Sequence, residues 1–104
     1  MNNPRIVRAA DLPGSPLDAA AQFHKELLPL IRSAIAETGD AIIAFDHAGH
    51  SHDSWRLAVT QELAREAAPV RVNAVIGDLG EAMDSTIAFI ASAPGVTGQV
   101  FTLA

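Results

Sequence analysis

The chain has 104 residues and a net charge of −5, with no cysteine and no tyrosine. A chain of this length forms one domain, and we expect that domain to span residues 1–104. The seven Lys and Arg residues are not clustered, which excludes the basic surface that nucleic acids and anionic membranes require. The absence of cysteine excludes disulfides, thiolate nucleophiles and cysteine-based zinc sites.

Two features of the sequence bear on location. The beginning of the chain lacks the charged-then-apolar pattern of a signal peptide. The longest apolar run, residues 41–45, is much shorter than the ~20 residues that cross a bilayer. We therefore expect a cytoplasmic protein without a membrane partner.

Four short apolar runs alternate with three stretches of helical periodicity. The runs are residues 6–9, 41–45, 71–76 and 99–103. The middle two are almost continuously apolar, which is typical of parallel strands that are buried on both faces.

The first helix is predicted from its capping and termination signals. Ser15 is placed to cap its free amides, and Pro16 suits its first turn. Pro29 should kink the helix, because it removes one backbone hydrogen bond, and Gly39 should end it. The second helix should begin near Asp53 or Ser54 and stop before residue 69. The third should begin between residues 78 and 81, with Asp78 as its cap, and end before residues 94–95.

This order of elements predicts an α/β fold, a half-Rossmann or flavodoxin-like βαβαβαβ domain. It should have a four-stranded, mainly parallel sheet and three main helices. If the strands lie in sequential order, right-handed crossovers would place every helix on one face and leave the other face bare. A reordered sheet, such as 2-1-3-4, would cover both faces.

Several segments carry a family resemblance. Residues 63–69 read LAREAAP and lead into RVNAVIG at 71–77, and the segments 87–92 and 96–100 read IAFIAS and VTGQV. Over residues 17–104 the chain resembles the carboxyl half of short-chain dehydrogenase/reductases. It most resembles the non-catalytic amino-terminal domain of long two-domain 3-ketoacyl reductases, including that domain's LLP-I helix. The resemblance implies a doubly wound ancestor, a ketone or fatty-acyl reductase context, and dimerisation through these helices.

The departures from the family concern its chemistry. No glycine-rich nucleotide turn follows the first strand. Aligned on Thr60, the family's tyrosine and lysine fall on Gly49 and Asp53, and its serine falls near Asp46 or His47. The resemblance therefore implies that hydride transfer is lost, and we expect no catalytic residues, no cofactor and no cofactor-binding residues.

The segment 46–53 holds the most reactive side chains. His47, His50 and His52 are weak candidates for a metal site, since histidines and carboxylates bind divalent metals. The simpler interpretation is an exposed loop in which Ser51 and Asp53 cap the next helix. A hydrolase using Ser51, His47 and Asp46 is disfavoured, because no G-x-S-x-G elbow is present.

Other residues receive structural interpretations first. Residues 77–80 form either a plain strand-to-helix turn, which we favour, or part of a small pocket. Trp55 should lie in the core or at an interface, and His24 and Arg32 should lie on a solvated face.

Two functional hypotheses follow. The first is a non-catalytic interaction module that forms a homodimer or higher homo-oligomer, or that docks on a full-length reductase subunit. The alternative is a residual ligand-binding or metal-binding protein that uses the loop 46–53. A third possibility, a truncated product without function, stays open.

Overall fold

A computed structural model describes residues 3–104 of the chain. Residues 1 and 2 lie outside the described residues. The predicted domain 1–104 and the segment considered as a signal peptide both begin with these two residues. No helix in residues 3–104 has both the length and the apolar character needed to cross a membrane.

Four parallel strands form one sheet in the order β1-β2-β3-β4. Their bounds are Arg5–Ala9, Ala41–Phe45, Val72–Ile76 and Val100–Thr102. Every residue of β2 and β3 is buried, as the continuous apolar runs predicted. The predicted α/β fold with a four-stranded parallel sheet is confirmed.

The helices follow the predicted order, with one irregularity. They are α1 (Pro16–Gln22), a π-helical segment (Phe23–Leu27), α2 (Leu28–Thr38), α3 (Asp53–Ala67) and α4 (Glu81–Ala91). A 3₁₀ turn (His50–His52) leads into α3.

The kink predicted at Pro29 stays a prediction, but a π-helical segment, Phe23–Leu27, ends two residues before this proline. The Leu28 amide donates to the Phe23 carbonyl, five residues back, so the widened turn precedes the residue that has no amide proton. Gly39 ends α2 with a φ of +94°, a conformation that glycine adopts without steric cost.

The predicted side-chain caps are wrong. Ser15 is the N-cap of α1, but its side chain makes no capping hydrogen bond. The 3₁₀ turn and α3 also begin without side-chain caps, so Ser51 and Asp53 do not have the predicted role. Gly80, not Asp78, is the N-cap of α4. The positions of the helix starts were predicted, but the partners of the free amides were not.

The helices cover both faces of the sheet. One core cluster joins β2 and β3 residues such as Ile43 and Ala74 to Phe23 of the π segment, Ile31 of α2 and Leu63 of α3. The opposite face carries Ile42, Ala44, Val75, Met83 and Ile90, and the last two belong to α4.

The strands lie in sequential order, yet neither face of the sheet is left bare. Uniformly right-handed crossovers would have left one face bare. Because α4 lies on the face opposite α3 while the strand order continues in the same direction, the third crossover has the hand opposite to the first two. The apolar residues Met83, Ile87 and Ile90 provide the packing that holds α4 there. Only the end of this face over β1 stays open, where Ile6 is 46% exposed.

A network of hydrogen bonds closes the amino edge of the sheet. Arg71 Nε donates to the Asp40 carboxylate (3.0 Å), and Arg71 Nη1 donates to the carbonyls of Ile90 (2.9 Å) and Ala93 (2.6 Å). Asn73 Nδ2 donates to the Val96 carbonyl at 3.0 Å. The residues that carry part of the family resemblance at 71–73 therefore hold the C-terminal end of α4 and the loop after it.

Candidate functional site

A cavity of about 320 Å³ opens at the carboxyl edge of the sheet, where the loops after β1 and β2 meet the start of α3. The carboxyl ends of parallel strands are the common ligand site of open α/β sheets. The cavity lining combines apolar, polar and charged side chains: Ala9, Leu12, Pro13, Gly14, Asp46, His47, Ala48, Gly49, His52 and Arg56.

Asp46 ties the two loops together. Its carboxylate accepts hydrogen bonds from Arg8 Nη2 (3.1 Å) and from the Asp11 amide (3.2 Å). Asp11 has a φ of +59°, in the left-handed region that aspartate tolerates better than most residues. The negative charge of Asp46 is therefore matched by the positive charge of Arg8.

His52 is a buried structural residue. Its Nδ1 accepts from Trp55 Nε1–H at 3.1 Å, and its Nε2 lies 3.0 Å from the Gly14 carbonyl. Because indole nitrogen can only donate, Nδ1 is the acceptor and Nε2 carries the proton that is donated to Gly14. Both ring nitrogens are thus engaged, and the side chain links α3 to the loop after β1.

Arg56 is the residue of this site that sequence reasoning missed. Its side chain is 4% exposed, and its guanidinium carbon lies 4.5 Å from the centroid of the Phe45 ring. Nη1 donates to the Asp46 backbone carbonyl at 2.8 Å, while Nε is buried without a hydrogen-bond partner among residues 3–104. Within the described chain the guanidinium forms no ion pair within 4.0 Å.

The burial of this cation has an electrostatic consequence. Desolvation lowers the pKa of the Arg56 guanidinium, and the Asp46 and Asp53 carboxylates oppose that shift. Desolvation outweighs the two carboxylates because neither forms a direct pair with the guanidinium. The cavity therefore borders a desolvated positive charge that has no directly paired carboxylate among the described residues.

A periodic signal for Arg56 exists in the sequence. The apolar residues at 55, 59, 63 and 67 recur every four positions along the second helix. A neighbouring row with the same spacing holds His52, Arg56 and Thr60, and all three are buried. A buried face wider than one row is usual for a helix packed on a sheet.

The remaining residues of segment 46–53 do not assemble into a catalytic or metal-binding group. His47, His50 and Ser51 are exposed. Among residues 3–104 no three His, Asp or Glu side chains converge as a metal site, and His52, one of the weak candidates, has both nitrogens engaged. Metal binding by His47 or His50 stays a prediction.

The hydrolase alternative loses its orienting acid, since the Asp46 carboxylate is hydrogen-bonded to Arg8 and Asp11. A nucleophile–base pair must be within hydrogen-bond reach, and no hydrogen bond joins Ser51 to His47 within the described chain. The structure thus favours the exposed-loop interpretation of these two residues, without the predicted caps.

The turn at residues 77–80 is closed rather than pocket-like. The Gly77 amide donates to the Phe45 carbonyl at 3.0 Å. A Cβ atom at Gly77 would lie 2.7 Å from Leu103 Cδ1, so the side chain of Leu103 fills the space beside the turn. The strand-to-helix interpretation is the one that this packing supports.

A second, more apolar depression lies on the outer surface between α2 and α3. We call it the α2/α3 groove, and it encloses about 320 Å³. Its residues are His24, Leu28, Arg32, Trp55, Ala58, Val59, Glu62, Leu63 and Glu66.

Trp55 and an ion pair define the walls of the groove. The Trp55 ring packs against the rings of Phe23 (5.4 Å between centroids) and Phe45 (5.6 Å), so it belongs to the core margin, as predicted. Arg32 and Glu66 form a two-bonded pair at 2.9 and 2.7 Å on the rim. The hydrogen bond from Arg32 lowers the pKa of the Glu66 carboxyl. His24 and Arg32 lie on an exposed face, as expected.

The comparison with protein families gives one match. A family model described as short chain dehydrogenase-like protein matches residues 7–103. No curated protein matches the chain. The cavity at the carboxyl edge includes Asp46, His47 and Gly49, the positions that the resemblance aligns with the family's serine and tyrosine.

Proposed function

Since the chain belongs to the short chain dehydrogenase-like family, we propose that it is a non-catalytic member, an interaction module that self-associates through the α2/α3 groove. Gly49 and Asp53 occupy the positions aligned with the family's tyrosine and lysine, and the sequence contains no tyrosine. Without that proton donor the reduction of a carbonyl has no general acid in its usual place. We propose accordingly that the chain uses no nicotinamide cofactor.

The α2/α3 groove is the observation that carries this proposal. Its floor consists of side chains such as Leu28, Val59 and Leu63, and it opens to solvent on the side of the helices away from the sheet. Concave apolar surfaces of this kind on soluble domains mark interaction sites. The rim carries both signs of charge at Arg32 and Glu66, so a second identical surface meets no uniform field of like charge.

A second copy is the occupant that we propose. Homo-oligomers most often pair the same patch of both subunits about a two-fold axis, and the resemblance to short-chain dehydrogenase/reductases implies dimerisation through these helices. The expectation of a cytoplasmic setting rests on the sequence, which has no signal-peptide pattern and no membrane-length apolar run. The resemblance to long two-domain 3-ketoacyl reductases offers a full-length reductase subunit as the other occupant of the same groove.

Sedimentation equilibrium of the purified chain, with and without NADPH, tests this proposal. We expect a discrete dimer or tetramer whose mass does not depend on the nucleotide. Ala58→Arg places a charge in the groove and should shift the chain toward monomer. Ala88→Arg is the matched control on α4, where the alanine is also exposed but lies outside the groove, and it should leave the mass unchanged.

Several results would contradict the proposal. A wild-type chain that is monomeric and folded at tens of micromolar would exclude stable self-association. An oligomer that Ala88→Arg dissociates and Ala58→Arg does not would move the interface to α4. Tight, saturable binding of NADPH would overturn the non-catalytic assignment.

A further inference from the structure

Among the described residues the Arg56 guanidinium forms no ion pair within 4.0 Å, and the Asp46 and Asp53 carboxylates act on it only at longer range. The side chain is almost completely buried, and within residues 3–104 its only hydrogen bond joins Nη1 to the backbone carbonyl of Asp46. Burying a charge without a directly paired partner is strongly unfavourable. A fold that keeps such a residue at the wall of an open cavity is suited to receive the missing negative charge from outside.

The charged and polar groups that line the cavity beside Arg56 are already engaged, whereas the exposed Asp53 acts on the guanidinium only at longer range. The Asp46 carboxylate pairs with Arg8 at 3.1 Å and also accepts the Asp11 amide, which turns it toward the loop after β1. The ring nitrogens of His52 are engaged with Gly14 and Trp55. The guanidinium that borders the cavity therefore lacks a directly paired anion, and a single carboxylate in the cavity would supply one.

The form of the cavity limits the ligand. About 320 Å³ is at the lower end of the range for small-molecule sites. Ala9, Leu12, Pro13 and Ala48 supply apolar surface on its walls. A ligand with a single charged end and a short apolar body matches this lining, whereas a dianion would bring excess negative charge close to Asp46.

We propose that the cavity at the carboxyl edge of the sheet binds a small monocarboxylate, and that Arg56 is its anchoring residue. The planar guanidinium presents several donors that suit a carboxylate. Its face is packed on Phe45, and Nη1 donates to the Asp46 carbonyl, which leaves Nη2 for the ligand. Binding through this cavity does not depend on self-association through the α2/α3 groove.

The test is a titration of the full-length chain followed by amide chemical shifts in two-dimensional NMR spectra, with sodium propionate as the ligand at constant ionic strength. We expect saturable shifts confined to the cavity, at the amides of Gly14, Ala48 and Gly49. The dissociation constant should be about 10 mM or lower, as one desolvated charge-assisted contact allows. Arg56→Met should weaken binding at least tenfold.

Controls separate this site from general ionic effects. Arg65→Met makes the same substitution on the same helix, at a side chain that is 66% exposed, and should leave the affinity within about twofold because a surface charge contributes little. Arg56→Lys keeps the positive charge but lacks the planar guanidinium with its several N–H donors. This variant should bind propionate several-fold more weakly than the wild type.

The wild-type titration decides the matter even if Arg56→Met fails to fold. Shifts that stay linear up to about 100 mM propionate, well above the affinity expected from this contact, would overturn the proposal. So would equal binding by folded Arg56→Met. Phosphate binding as tightly as propionate would overturn the assignment of a monoanion. If the site binds propionate while the chain is monomeric, the binding inference stands and the proposed self-association fails.

Discussion

Two arginines at opposite edges of the sheet show two ways of placing a guanidinium inside a small domain. At the amino edge, Arg71 meets the Asp40 carboxylate and the carbonyls of Ile90 and Ala93. At the carboxyl edge, Arg56 meets one carbonyl and an aromatic face and leaves Nε unpartnered. Arg71 has its charge paired within the chain, whereas Arg56 has no directly paired carboxylate among the described residues.

The comparison separates stability from function. A fully satisfied network joins elements that are far apart in sequence and fixes one arrangement of them. An unsatisfied buried polar group in a native structure calls for a separate explanation, such as a ligand. The satisfied network thus serves the maintenance of the fold at the amino edge, and the contrast supports our proposal that the carboxyl edge binds a ligand.

The largest expected effect comes from breaking the satisfied edge. Arg71→Met should lower the free energy of unfolding by about 3–5 kcal/mol, because it leaves Asp40 and the α4 carbonyls without their shared donor. Chemical denaturation followed by circular dichroism at one fixed protein concentration measures this effect. Arg65→Met, an exposed residue of α3, is the control and should change stability by less than about 0.5 kcal/mol. Equal losses in the two variants would contradict the network's role.

The second effect concerns the polar link inside the carboxyl edge. His52→Ala should lower the free energy of unfolding by about 1–3 kcal/mol, since the Gly14 carbonyl and the Trp55 indole N–H both lose their partner. His50→Ala, two residues earlier and exposed, should stay within about 0.5 kcal/mol of wild type. If both substitutions were equally mild, His52 would not be the link between α3 and the loop after β1.

Arg56→Met sharpens the comparison most directly, because it makes the same substitution as at Arg71. It removes one hydrogen bond to a carbonyl and also removes a buried, unpaired charge, and these two contributions oppose each other. In the absence of added carboxylate we expect the free energy of unfolding to change by less than about 1 kcal/mol. A loss as large as that of Arg71→Met would show that Arg56 is a structural residue rather than one held for a ligand.

Much of the fold could be predicted because it depends on local patterns. The run at 41–45 matches β2 residue for residue, since a strand buried on both faces is almost continuously apolar. Two helix ends were also predicted correctly: α2 ends with Gly39 as its C-cap, and α3 ends at Ala67, just before residue 69. The family resemblance, shown by the match over residues 7–103, also came from short contiguous motifs.

The parts that could not be predicted depend on contacts between distant segments. Helical periodicity shows which side of α4 is buried, but it does not show on which face of the sheet Met83 and Ile90 pack. The general preference for right-handed crossovers pointed to the wrong face. The role of Arg56 depends on Phe45 and the Asp46 carbonyl, and that of Arg71 on Ile90 and Ala93, so neither environment is visible in the local sequence.

The smallest expected effect comes from the ion pair Arg32–Glu66. Arg32 is exposed to solvent, unlike Arg71 and Arg56. The pKa of the Glu66 carboxyl is lowered in the folded chain. The ion pair therefore contributes its full stability above the ordinary glutamate pKa of about 4.3. This contribution disappears as the pH falls through the lower pKa of the folded state. Wild type should therefore lose slightly more stability on acidification than Glu66→Gln. High salt should reduce the difference, and Arg32→Gln should abolish it in a double-mutant cycle. A difference that survived in the Arg32→Gln background would show that the groove rim owes its acid sensitivity to a group other than this ion pair.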